Sequence, residues 1–180
     1  MEHKDEERGE PRRSFLTTMG AVATGAAAML VPVGAGLASL LDPLRKRTTD
    51  NPMVLVTKLS QVPEDGTPKK FTVRTDRVDA WATEADSPVG AVYLRRTDDG
   101  ISALNVVCPH AGCFVGIADD GSGFACPCHL SHFDMDGMVD DPASPSPRDM
   151  DSLEVEVRNG DEVWILFQNF LPGREEKRAV

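Results

Sequence analysis

The chain has 180 residues, room for one ordinary domain and an appendage, and its formal net charge of -10 excludes a nucleic-acid binder, whose affinity rests on a basic face. Aromatic residues make up only 6% while Gly (15) and Pro (13) are frequent. That composition suits a loop-rich β domain better than a helical bundle, and only the first forty residues read as helical.

Residues 1–14 are charged and lack an apolar period, so they read as a solvated tail. Arg12 and Arg13 then precede an apolar run, Phe15 to Leu41, of 27 residues without a charge. About 20 apolar residues cross a bilayer, whereas a cleavable signal's core is about 7 to 15, so the run predicts a retained spanning helix. Small residues four apart, Ala21 with Gly25 and Ala23 with Ala27, either admit a neighbouring helix or reflect mild hydrophobicity suited to export. Pro32 is expected to bend the helix. The stretch Arg12, Arg13, Ser14, Phe15, Leu16 resembles the twin-arginine signal, which carries folded, cofactor-loaded proteins across the bacterial cytoplasmic membrane. By the positive-inside rule the arginine pair supports a cytoplasmic N-terminus, so the single span, in contact with membrane lipid, is expected to leave the remaining mass on the extracytoplasmic side. Residues 42–52, with Arg45, Lys46 and Arg47, read as a hinge linker.

From Met53 the pattern changes to short β-runs: 53–59, 70–78, 89–96, 101–107, 123–125, 153–157 and 163–168. Asp98, Asp99, Gly100 and Asn159, Gly160, Asp161 predict hairpin turns. Leu153, Val155 and Val157 alternate with Glu154 and Glu156, as in a half-buried strand. Trp81 and Trp164 read as sheet aromatics without a chemical role. The fold class is therefore mainly β and antiparallel, a domain over 53–172 preceded by one transmembrane helix and followed by a charged tail, 173–180, that hugs the surface or frays.

All four cysteines and three of the four histidines fall between Cys108 and Asp134. Two short loops, Cys108–Cys113 and Cys126–Ser131, each supply one Cys and one His plus a spare Cys. Sulfur and imidazole donors suit zinc or an iron–sulfur cluster. A Cys2His2 zinc finger groups its cysteines together and its histidines together, and the interleaving here argues against it. The order Cys-x-His, fifteen residues, Cys-x-x-His resembles the Rieske [2Fe-2S] motif.

That resemblance implies a Rieske-type β-sandwich head with a cluster-binding subdomain near 106–148 and one [2Fe-2S] cluster per chain. Cys108 and Cys126 would ligate one iron, and His110 and His129 the other. It also implies a Cys113–Cys128 disulfide joining the loops, the mark of the cytochrome bc and b6f subtype, in an oxidising compartment. His132 is expected on the surface, outside the ligand set. High-potential relatives have a serine and a tyrosine hydroxyl near the cluster. Ser131 keeps the first, Phe133 lacks the second, and Leu130 replaces a glycine, so the midpoint is expected to be lower, as suits menaquinol. The stretch from Asp140 to Pro147, including Pro142, resembles the proline loop covering the cluster. The implied activity is one-electron transfer from quinol, faced by His110 and His129, to a c-type cytochrome, beside a cytochrome b-type membrane subunit. The alternative is the Rieske small subunit of a periplasmic molybdenum oxidase such as arsenite oxidase, which also carries a CPCHxSxFD-like second loop.

Overall fold

The computed structural model describes residues 10–45, 53–78 and 82–180, in two units, Met1–Arg47 and Thr48–Val180. Trp81 and part of the expected tail and linker, residues 1–9 and 46–52, lie outside the described residues. In the first unit, one helix, α1 (Glu10–Arg45), extends past both ends of the apolar run. Its Arg12–Leu41 stretch, with mean hydropathy 1.7, is long and apolar enough to cross a membrane. Thr17, Thr18 and Thr24 donate their hydroxyls to backbone carbonyls within the helix, which leaves them satisfied where water is absent. Pro32, expected to bend the helix, does not interrupt it.

The second unit is built of three antiparallel sheets. One orders β1 (Met53–Lys58), β9 (Glu162–Leu166) and β8 (Val155–Arg158), and another orders β2 (Lys69–Val78), β3 (Thr83–Thr97) and β4 (Gly100–Asn105). Val73, Val92 and Leu94 of the second sheet share one buried core with Val163 and Ile165 of the first, closed by Phe167 and Phe170. Both predicted hairpin turns are present. Asn159 and Gly160 take φ of 51° and 78°, the left-handed pair that a two-residue hairpin needs. Trp164 is half-buried, its indole N–H on Glu162 and its ring under Arg158, in keeping with a sheet aromatic.

Two expectations shift. β8 begins at Val155, leaving Leu153 buried ahead of it, and Val157 is exposed because β8 is an edge strand with one neighbour. β3 starts six residues before the expected Val89. Asp86, Ser87 and Pro88 look like a turn, yet pairing with β2 survives through two register slips, with Pro88 beside one of them. Asp86 adopts φ 50°, and Arg74 donates to its carboxylate and carbonyl.

The third sheet, β5 (Gly116–Ile117), β6 (Gly123–Ala125) and β7 (His132–Asp134), carries the site. β5 and β7 are too short to leave a periodic signal in the sequence. A second core of Tyr93, Leu104, Val106, Val115, Phe124 and Phe133 lies beneath it and includes Cys108 and Cys126. The ligand loops therefore stand on their own small core, which continues from β3 and β4.

Candidate metal centre

Each ligand loop is closed by the same pair of backbone bonds. In the first, the Cys108 N–H donates to the Cys113 carbonyl at 2.7 Å, and the Gly112 N–H returns to the Cys108 carbonyl at 2.9 Å. In the second, the Cys126 N–H donates to the Ser131 carbonyl at 2.8 Å, and the Leu130 N–H returns to Cys126 at 3.0 Å. Closing so tight a ring requires a left-handed residue four places after the cysteine. Gly112 takes φ 79° there, and Leu130 takes φ 59°. The expected departure at Leu130 therefore changes the side chain and leaves the backbone shape intact, at a cost of about 1 to 2 kcal/mol for a non-glycine residue. Leu130 is 70% exposed, so its apolar surface lies at the tip of the loop.

Cys113 and Cys128 form the expected disulfide, with Cα atoms 6.6 Å apart, and it ties the loops together. The sulfurs of Cys113, Cys126 and Cys128 all lie within 4.8 Å of one another, but two are spent on that bond, so Cys126 is the donor among them. Cys108 and Cys126 are free and fully buried. Burial pushes the Cys108 thiol up from its ordinary value, against the pull of the His110 N–H and the Ser131 hydroxyl, so a thiolate there calls for a cation. The Ser131 hydroxyl, itself buried, lies 3.8 Å from the Cys108 sulfur.

The rings of His110 and His129 meet edge to face, with centroids 4.7 Å apart. His129 is exposed and His110 half-buried, and the buried Nδ1 of His110 has no hydrogen-bond partner. An orphaned imidazole nitrogen and two buried free thiols are donors of the kind a [2Fe-2S] cluster takes, so the chemistry of this donor set fits that group. His132 is exposed on β7, as expected for a residue outside the ligand set. Phe133 is fully buried against the same core. The chain's single tyrosine, Tyr93, gives its hydroxyl to the Val115 carbonyl at 3.1 Å, so it does not replace the missing donor near the cluster.

After β7, the Asp141 carboxylate accepts the Ala143 N–H and the Asp141 carbonyl accepts the Ser144 N–H, shaping the turn that holds exposed Pro142. The far end is pinned by Arg148, which forms a buried bidentate pair with Asp151 and donates to the Leu171 carbonyl. The sequence gives no sign of this last anchor, because its partners are a carboxylate three residues on and backbone carbonyls more than twenty residues away.

One thiol and one imidazole from each of two disulfide-joined loops, standing on a small antiparallel sheet, define an iron–sulfur electron-transfer domain. Residues 52–157 match the Rieske [2Fe-2S] domain. The chain belongs to the Rieske family, and its cofactor is a [2Fe-2S] cluster. It is 33% identical over 154 residues to the menaquinol:cytochrome c reductase iron-sulfur subunit of Bacillus subtilis, covering 83% of this chain and 87% of that one. Identity and coverage are the same against the subunit of that name from Geobacillus thermodenitrificans. The cytochrome b6-f complex iron-sulfur subunit of Chlorobaculum thiosulfatiphilum is 28% identical over 86% of this chain and 74% of its own.

Proposed function

We propose that this chain is the Rieske iron–sulfur subunit of a menaquinol:cytochrome c oxidoreductase, anchored by α1 in the bacterial cytoplasmic membrane with its head on the extracytoplasmic side. Cys108 and Cys126 would hold one iron, and His110 and His129 the other. The observation that carries this reading is the split in burial across the site: both thiols are sealed at the floor while His129 stands exposed at the surface. A site built this way insulates the sulfur side and presents imidazole to a diffusing donor. The named subunits to which the chain is 33% identical support the quinol and cytochrome context.

When bound, the cluster supplies a one-electron acceptor. The chain's own residues do the rest. The exposed His129 ring, with His110 edge-on beside it, accepts a hydrogen bond from the quinol hydroxyl and takes its proton as the electron leaves. The disulfide keeps the two loops closed while the tip engages its partner. The Ser131 hydroxyl lies 3.8 Å from the Cys108 sulfur, and buried Phe133 excludes water without donating, which favours a lower midpoint. The Pro142 loop would wall a remaining side of the bound cluster. A cytochrome b-type subunit completes the quinol pocket, and a c-type cytochrome takes the electron. Arg12 and Arg13, just ahead of the apolar run in α1, direct export by the twin-arginine route after the cluster is loaded.

Extraction in mild detergent tests the assembly. The expected result is co-purification with cytochrome b and c-type haem, together with an EPR signal of low average g from the reduced head. Recovery with a molybdopterin subunit instead would overturn the reading.

A further inference from the structure

The first ligand loop has a support that reaches it from the far end of the chain. The Gly173 N–H donates to the Pro109 carbonyl at 2.7 Å, at the residue between Cys108 and His110. Gly173 is left-handed, with φ +71°, and a Cβ there would stand 3.5 Å from the His110 carbonyl. A Cβ on Gly112 would lie 3.6 Å from the Pro172 ring, so the tail seats against the turn of the loop itself. Arg148 grips both flanks of this turn, donating to the carbonyls of Leu171 and Arg174. Its Nε and Nη2 take the Asp151 carboxylate at 3.0 and 2.8 Å, and the two side chains are only 10% and 4% exposed.

Beyond the turn the chain folds back. The Leu171 N–H meets the Arg178 carbonyl, the Val180 N–H meets the Asn169 carbonyl, and Phe170 bridges Ala179. A second tie runs through buried Asn105, whose amide donates to the Gln168 carbonyl and the Asn169 side chain. Its oxygen accepts the Val107 N–H, one residue before Cys108. The entry to the first loop and its middle are thus both held by residues 168–173. In the second loop, the Cys126 and Leu130 N–H groups bond within the loop.

We propose that residues 168–180, locked by Arg148 and Asp151, are a positioning brace for the first ligand loop that holds Cys108 and His110 in register with Cys126 and His129. A planar guanidinium serves here because its fork satisfies one carboxylate and two carbonyls at once, which an ammonium on a flexible stem does not. The brace acts through the first ligand loop.

The test uses the full-length, cluster-bearing protein and two variants, Arg148→Lys and a chain ending at Arg174. Amide hydrogen exchange is followed in both loops, with β2 and β9 as internal references, alongside the EPR spectrum of the reduced protein. Arg148→Lys is expected to speed exchange in 108–113 at least tenfold and in 126–131 less than twofold, and to broaden the EPR signal. The shortened chain, which keeps the Arg148–Asp151 pair, is expected to show the same bias at a smaller factor. It stands as the deciding measurement if the lysine variant does not fold. Equal acceleration in both loops, or none in the first, would overturn the proposal.

Discussion

Loops Cys108–Cys113 and Cys126–Ser131 close with the same two backbone bonds, yet Gly112 seats its turn against Pro172 while Leu130 holds the equivalent turn out in solvent. The shared plan belongs to the backbone, since one loop achieves it with glycine and the other with leucine. What differs is what surrounds them. The left-handed Leu130 side chain stands in solvent, whereas a Cβ on Gly112 would come into contact with the Pro172 ring of the tail. The first loop is the braced wall of the site, and the second is its solvent-facing side.

The sharpest way to break this division is to separate the loops. Replacing Cys113 and Cys128 together by alanine removes a bridge between residues 15 apart in sequence. Loop-closure entropy for that span puts the loss at about 3 kcal/mol. Urea unfolding monitored by cluster absorbance should show it, with the exposed second loop losing protection from hydrogen exchange before the braced first. Simultaneous loss would mean that the bridge, and not the tail, fixes the first loop.

The candidate site was legible in the sequence because its thiols and imidazoles fall in two short windows. Cys108, His110, Cys126 and His129 stand in register with a known motif, and the spare cysteines fall one to a loop. The sandwich was legible in part, where short runs rich in apolar residues, such as 101–107 and 163–168, recur between turn residues. The rest had no local signal. β5 and β7 are too short to alternate, and the start of β3 carries turn residues accommodated by register slips. The tail reads as charged and patternless because its order comes from distant backbone groups, such as the Pro109 carbonyl, and from the guanidinium of Arg148.

Exchanging the turn residues probes the comparison directly. Gly112→Ala places a side chain at φ 79° close to Pro172 and should cost about 1 to 2 kcal/mol. Leu130→Gly relieves similar strain but gives the unfolded chain more freedom, so its net effect should be less than about 1 kcal/mol. Denaturation midpoints of the two variants check the asymmetry, and equal losses would show that the loops are equivalent after all.

A third change tunes the second loop's side of the cluster. Phe133→Tyr adds a hydroxyl at a buried position in the core that includes Cys108 and Cys126. If it reaches a cysteine sulfur, the reduced cluster gains a donor, and a tenfold rise in electron affinity corresponds to about 59 mV. Protein-film voltammetry should therefore find the midpoint raised by roughly that amount. An unchanged midpoint would mean that the hydroxyl has turned elsewhere and that Phe133 serves only packing.

The smallest expected effect lies in the β5–β6 turn between the loops. Asp120 is fully exposed, and its carboxylate accepts the Ser122 N–H at 3.0 Å and the Ser122 hydroxyl at 2.7 Å. These bonds hold its pKa below the ordinary 3.8. Because the folded value is the lower one, the stabilisation is fully present above the unfolded pKa and is lost as pH falls through the folded one. At neutral pH the turn is therefore at full strength, and acid should loosen it without reaching the backbone rings on either side. A side-chain NMR titration should place the Asp120 midpoint below 3.8, and Ser122→Ala should move it upward by removing the hydroxyl donor. A midpoint at or above 3.8 in the unaltered protein would mean that the turn is not held by this carboxylate, and the loops would then owe their spacing to the disulfide and the tail alone.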